Sequence, residues 1–314
     1  MKHKARNITI AIALAFGLPV PALMRMCAHS PEKIPPPAVS GLTPIKGSVS
    51  VAVDRSLIDV ARMQSTIFTE HYPEADVRLS AEPSGRSILR LLRREVAGAI
   101  IDGGLSKEED SVMVSINRPL KRQPIARNAL IFVVNRANPV ASISVKELRE
   151  IFSGRVSDWK PFGGRSGPLT ICVDGSDFRL QAGLSEILFG HAGRLKGSSV
   201  DGADKLLARV GADEGAAAVV SLPDYVRALS SGVKHTAIKA LPVIADSSSQ
   251  PVTASPSTIY SGDYPLVTVV YYIYNPYDPL ATGFGAWLAK EGQTLFERGD
   301  IAPYNQTVRT IILK

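Results

Sequence analysis

The chain has few of the residues that covalent or metal-based frameworks need. Two cysteines, Cys27 and Cys172, cannot build a network of bridges, and no CxxC pair or HExxH helix is present to hold zinc. Of five histidines, His3 and His29 lie near the N-terminus, while His71, His191 and His235 stand without a paired nucleophile or carboxylate motif. No enzyme class is indicated. Gly103-Gly104 and Gly163-Gly164 lack the flanking pattern of a nucleotide loop, so neither a cofactor nor a metal is expected. Aromatic residues make up only 6%, and no basic face interleaved with aromatics appears. The formal charge of +7 falls to +3 once Lys2, Lys4, Arg6 and Arg25 of the acid-free first 26 residues are set aside. That is too mild a balance for a nucleic-acid partner.

What is present is apolar: 45% hydrophobic residues in 314 suffice for the cores of two domains of ordinary size. The first 26 residues join a basic start to an apolar run from Ile8 to Leu23, interrupted by Pro19 and Pro21, which is the pattern of a signal peptide. The run is short for a permanent membrane anchor. Cys27 follows directly, and the Pro-rich stretch to Lys46 reads as a tether. This arrangement resembles a bacterial lipoprotein, which implies a lipid on Cys27 and a periplasmic, membrane-tethered location. Arg25 and Met26 depart from the small residues that such proteins carry before the cysteine.

From Ser48 onward strand and helix patterns alternate. SVSVAV precedes a helix with Leu57, Ala61 and Phe68 on one stripe; DVRL precedes a helix striped by Ile88, Leu89, Leu92 and Val96; AGAII follows. Taken alone, that order predicts a parallel sheet with helices on its faces. ALIFVV at 129–134, LTICV at 169–173 and AAAVVS at 216–221 read as further buried strands, with helices around 179–190 and 203–210. Ser144 and Glu147 form a capping box. Residues 245–257, rich in Ser and Pro, read as a loop; LVTVVYYIY is a long strand, and Asp278-Pro279 opens a helix expected to run to about Arg298.

Three stretches carry a family likeness: PIARNALIFVVNRANPVASISVKELREIFSGRVSDWKPFGG at 124–164, the strand and helix within 264–309, and residues 47–106. They resemble the phosphate-binding, PstS-like substrate-binding proteins of ABC transporters, over about 47–314. The resemblance implies an α/β, two-lobed periplasmic-binding-protein type II fold, each lobe a mixed sheet flanked by helices. It also implies a hinge of two strands near 123–134 and 264–274. Lobe 1 is expected to combine 47–122 with 265–314, and lobe 2 to span 123–264. Function by resemblance is capture of inorganic phosphate or a related oxyanion in the cleft, by a monomer that delivers it to ABC permease subunits. A second reading is a sensor or scaffold with the same fold and an altered anion site.

The residues of such a cleft are legible in part. Oxyanions are held well at helix N-termini, where unsatisfied N–H groups and the helix dipole both point outward. Ser56 stands at the start of the first helix and Ser84-Gly85 at the start of the second. Ordinary capping explains serines at such places equally well. Ser84 matches the family's ligand serine, and Asp102, at the end of a strand, matches its proton-accepting aspartate. Asp102 read alone is equally a turn residue before Gly-Gly. At the third contact loop Asp174 and Ser176 carry over, whereas the family's arginine, glycine and threonine fall on Cys172, Asp177 and Phe178. Arg55, Arg86 and Arg179 flank the candidate loops and are the alternatives for the missing cation. Asn128 replaces an acidic residue of the central signature.

Overall fold

The computed structural model describes residues 41, 43–115, 119–231 and 237–305; the expected signal peptide, Cys27 and most of the tether lie outside them. Along the chain come β1 (Gly47–Asp54), a short 3-10 turn, α1 (Ile58–His71), β2 (Ala75–Glu82), α2 (Ser84–Leu92), β3 (Gly98–Asp102), α3 (Lys107–Ser115) and β4 (Lys121–Asn135). Next are β5 (Ile143–Ser144), α4 (Val145–Phe152), β6 (Thr170–Asp174), α5 (Phe178–Phe189), β7 (Ser198–Val200), α6 (Ala203–Ala212), β8 (Ala216–Ser221) and α7 (Leu222–Ser230). The remainder is β9 (Ile238–Ala240), β10 (Val243–Ile244), β11 (Pro251–Val252), α8 (Pro256–Ser261), β12 (Val267–Tyr274), α9 (Pro279–Ala289), α10 (Gln293–Phe296) and β13 (Ala302–Pro303).

The main sheet runs β2-β1-β3-β12-β4-β8-β6-β7, with β9 and β13 also on β4. It is mixed, which corrects the all-parallel order predicted from the alternation of elements. β1 is parallel to β2 and β3, but β12 runs antiparallel to both β3 and β4. β4 is longer than its apolar stretch suggests. Its first half pairs with β12, and Leu130–Val134 pair with β8. Burial follows this division. One core packs β1, β12 and α9 around Phe68, Tyr272 and Phe284, and a smaller one lies behind β3 and α2. Another packs the second half of β4 with β6 and β8 around Phe132, Leu184 and Leu207.

Local sequence sets several boundaries. Asp278 caps α9 by accepting the Ala281 N–H at 2.9 Å, with Pro279 at the first turn. α9 ends at Ala289, short of the expected Arg298, and a separate short helix follows. Likewise α2 stops at Leu92, and Arg94 adopts a positive φ of 63°, so Val96 reaches the core from the loop and not from the helix. The expected loop at 245–257 contains β11 and the first turn of α8. Gly283 lets residues 43–46 lie on α9, since a Cβ there would fall 1.8 Å from the Pro44 carbonyl oxygen. Among the described residues no helix is long and apolar enough to cross a membrane.

The capping box forms as read: Ser144 Oγ accepts the Glu147 N–H at 3.1 Å and Glu147 Oε2 accepts the Ser144 N–H at 2.7 Å. Ser144→Ala is expected to cost about 1 kcal/mol, checked as a shift of the urea midpoint at unchanged slope.

Candidate functional site

Three strand ends meet at one place. Asp54 closes β1, Asp102 closes β3 and Asp174 closes β6, so all three carboxylates sit where α/β sheets present ligands. Two cavities open there. The outer one, about 250 Å³, is lined by Ser56, Asp54, Asp174, Ser176, Asp177, Asp201, Asp204 and Asp224, with Arg55, Lys205 and Arg227 among its cations. The inner one, about 10 Å³, shares Asp54, Ser56 and Asp177 with it and adds Asp102, Gly103, Arg179 and Thr268. Of the anticipated residues, Ser56, Asp102, Asp174 and Ser176 are therefore brought together. Ser84 is 1% exposed and reaches the site through Asp54, whereas Gly85 is exposed and lines neither cavity.

The hydroxyls have partners within the chain. Asp54, only 3% exposed, accepts the Ser56 N–H at 2.9 Å and the Ser56 hydroxyl at 2.8 Å on Oδ1, while its Oδ2 accepts the Ser84 hydroxyl. Asp174 repeats the pattern, accepting the Ser176 N–H at 2.8 Å, the Ser176 hydroxyl at 2.7 Å and the Gly202 N–H at 3.0 Å. Asp177 caps α5, accepting the Arg179 and Leu180 N–H groups, each at 3.1 Å. These serine hydroxyls, with their hydrogens given to carboxylates, keep lone pairs that accept. The site is thus rich in acceptors and suits a ligand that brings hydrogens of its own.

Asp102 fits that description. Its Oδ2 accepts from Asn128 Nδ2 at 2.7 Å, and its Oδ1 is shielded from solvent with no hydrogen-bond partner, as is Thr268 Oγ1. Asn128 is itself fully buried in the middle of β4 and holds the carboxylate in place. Burial pushes the Asp102 carboxyl up to about 6, opposed by the neighbouring Thr268 hydroxyl, by Asn128 and by the Gly103 N–H, and helped by the charge of Asp54. Asp177 is raised to about 7, by burial first and then by the charges of Asp54, Asp174 and Asp102. Asp224 is raised to about 6, again by burial first, against the pull of Arg227.

Cys172, on the expected arginine position, is 1% exposed inside the core of β6 and β8, where burial also raises its thiol pKa. A residue facing that way offers nothing to the cleft. Phe178 stands at the mouth of α5, 54% exposed. Of the three candidate arginines, Arg86 lines neither cavity, Arg55 lines the outer one and Arg179 the inner. Sequence reasoning passed over Asp54, Asp224 and Thr268. The repeated Asp-x-Ser of Asp54-Arg55-Ser56 and Asp174-Gly175-Ser176 was the available signal for the first. Among the described residues no cluster of His, Cys, Asp and Glu is arranged to hold a metal ion.

The profile of the PBP superfamily domain matches residues 38–291. The phosphate-binding protein PstS of Bacillus subtilis (strain 168) is 26% identical over 125 residues, which span 40% of this chain and 40% of that protein. Among solved structures, one ascribed to a phosphate ABC transporter substrate-binding protein of Clostridium perfringens, with bound phosphate, superimposes with a TM-score of 0.67 at 19% identity. It covers 82% of this chain and 100% of that one. An ABC-type phosphate transport receptor from Vibrio cholerae gives 0.61 at 17% identity, over 81% and 99% of the two chains. At these identities the structures speak for the fold, a mixed α/β sheet flanked by helices. With the domain profile spanning most of its length and the fold shared with those structures, this chain belongs to the PBP superfamily.

Proposed function

We propose that the chain is an extracytoplasmic solute-binding protein that captures phosphate in this cleft and delivers it to the permease of an ABC importer. The observation that carries the proposal is the convergence of Ser56, Asp102, Asp174 and Ser176 on one cavity system, with an unpartnered carboxylate oxygen of Asp102 at its inner end. A phosphate that retains protons donates to such acceptors; a fully ionised sulfate meets only repulsion there. The bound phosphate in the Clostridium perfringens structure supports the same ligand class. On this reading residues 47–122 with 265–314 form one lobe and 123–264 the other, and they close on the ligand as a monomer. Residues 1–26 are the export signal, Cys27 is the lipid-bearing residue, and the protein catalyses no reaction.

One observation favours the second reading, a sensor or scaffold. Each of the three site serines already donates its hydroxyl to a carboxylate of the chain, so none is free to donate to an anion without changing partner. Calorimetric titration at pH 6 to 8 with phosphate and with sulfate decides. Binding of phosphate in preference to sulfate, with a raised melting temperature and a smaller radius of gyration, is expected for the transport reading. No heat and no change in melting at millimolar phosphate would give the cleft to the sensor or scaffold.

A further inference from the structure

Arg179 is the one cation among the described residues lining the inner cavity, against the carboxylates of Asp54, Asp102 and Asp177. It belongs to the start of α5, which packs on the core of β6 and β8, yet its head reaches across to the segment that follows β3. There Nη2 meets Glu109 Oε1 of α3 at 2.5 Å, and Nη1 donates to the Gly104 carbonyl. The pair is well sheltered, with side chains 13% and 23% exposed. Nε, the remaining donor on the stem, is shielded from solvent and has no partner. A second bridge, Arg227 of α7 to Asp59 of α1, spans 3.5 Å between far more exposed groups, and screening leaves it little weight.

We propose that Arg179 couples anion capture to closure: it is the cationic contact for the oxyanion, supplied from α5, and Glu109 is the counter-charge that holds it across the cleft. The inference rests on the phosphate reading above and names the residue that carries it. Cys172 faces the core, so β6 contributes no cation, and the guanidinium is the fixed positive charge at the inner end of the site. Two of its five N–H groups are committed to the far wall and others, Nε–H among them, are left over, so one oxygen of an anion held in the outer cavity and reaching toward the inner one is joined to the wall beyond through one side chain. Glu109 fixes the guanidinium in that position, and its removal frees the head from the far wall.

The test is a double-mutant cycle on the full-length protein, titrated calorimetrically with inorganic phosphate, with melting of the unliganded form recorded in parallel. Arg179→Met is expected to weaken phosphate binding by about thirtyfold or more, while Arg179→Lys restores part of the loss. Glu109→Gln is expected to weaken binding several-fold by releasing the guanidinium from the far wall, and that loss should vanish in the Arg179→Met background. Phosphate binding by Arg179→Met equal to wild type, or a Glu109→Gln effect that persists without Arg179, overturns the inference while leaving the phosphate reading intact. A wild-type protein that binds no phosphate removes both. Should Arg179→Met not fold, Glu109→Gln alone still decides: unchanged or tighter binding counts against the coupling.

Discussion

Replacing Asp102 by asparagine is expected to lower the ratio of phosphate to sulfate affinity by about tenfold or more, without abolishing anion binding. The carboxylate and the amide have nearly the same shape, and Asn128 remains available to hold the side chain by donating to its oxygen. What changes is Oδ1, now an acceptor without a partner and shielded from water. An amide placed there either keeps a carbonyl, and loses the negative charge, or presents N–H to a ligand that also brings hydrogen. Removing the charge relieves repulsion against a proton-free anion, so sulfate gains while phosphate loses its acceptor. Titrating both anions on both proteins reads the ratio directly. A constant ratio accompanied by lower thermal stability would mark Asp102 as a turn residue.

The stability of the unliganded protein is expected to fall as pH rises from about 4.5 to 8. An aspartate in the unfolded chain titrates near 3.9, whereas Asp102 and Asp224 titrate in the folded protein at about 6 and Asp177 at about 7. Between those values the folded state holds protons that the unfolded state has released. The contribution of these three groups is therefore fully present below the unfolded value and is lost as pH rises through the folded ones. For Asp102 alone a shift of roughly two units corresponds to about 3 kcal/mol at full effect. Urea unfolding across that pH range should show the decline, and Asp102→Asn should flatten it. A curve independent of pH in both proteins would mean that the cleft carboxylates are solvated as they are on an open surface.

Phosphate loses protons over the same range in which Asp102 gains its charge, so donor and acceptor coexist only across a window near neutral pH. The raised carboxyls also resolve the apparent conflict of an anion site crowded with acids. Asp177, raised to about 7, holds its proton over part of the neutral range and spares the site one negative charge, while Asp102, at about 6, is mostly ionised there and stays an acceptor.

Signals carried by neighbouring residues were legible in the sequence. β1, β8 and β12 are recognisable from apolar and β-branched runs, and the caps at Ser144 and Asp278 depend on side chains within three residues of the helix start. The end of α9 was not legible, because it is set from a distance. Gln64 of α1 donates to the Gly292 carbonyl at 2.8 Å and accepts from Trp287 Nε1 at 3.1 Å, drawing the chain inward after Ala289. A Cβ at Gly292 would lie 2.6 Å from Gln64 Oε1. β12 likewise takes its partners, β3 and β4, from far along the chain.

At the site, the residue types were readable and their partners were not. Ser56 and Ser176 look like helix-start donors to a ligand, but the aspartate two positions before each takes both its N–H and its hydroxyl. Arg179 could not be separated from Arg55 and Arg86 by position in the chain, since what distinguishes it is Glu109, which lies 70 residues away in sequence.

The place of β12 in the sheet also sets the order in which the protein is able to fold. β12 lies between β3 and β4, and the core it completes joins Ala126 to Val270, 144 positions later. During folding β3 and β4 therefore present facing, unpaired edges until the last long strand inserts between them. Contacts so distant in sequence make folding slow, and open edges invite pairing with other chains in the interval. Truncation anywhere before residue 267 leaves that central gap unfilled, so a chain ending there has no finished sheet with which to hide its apolar face.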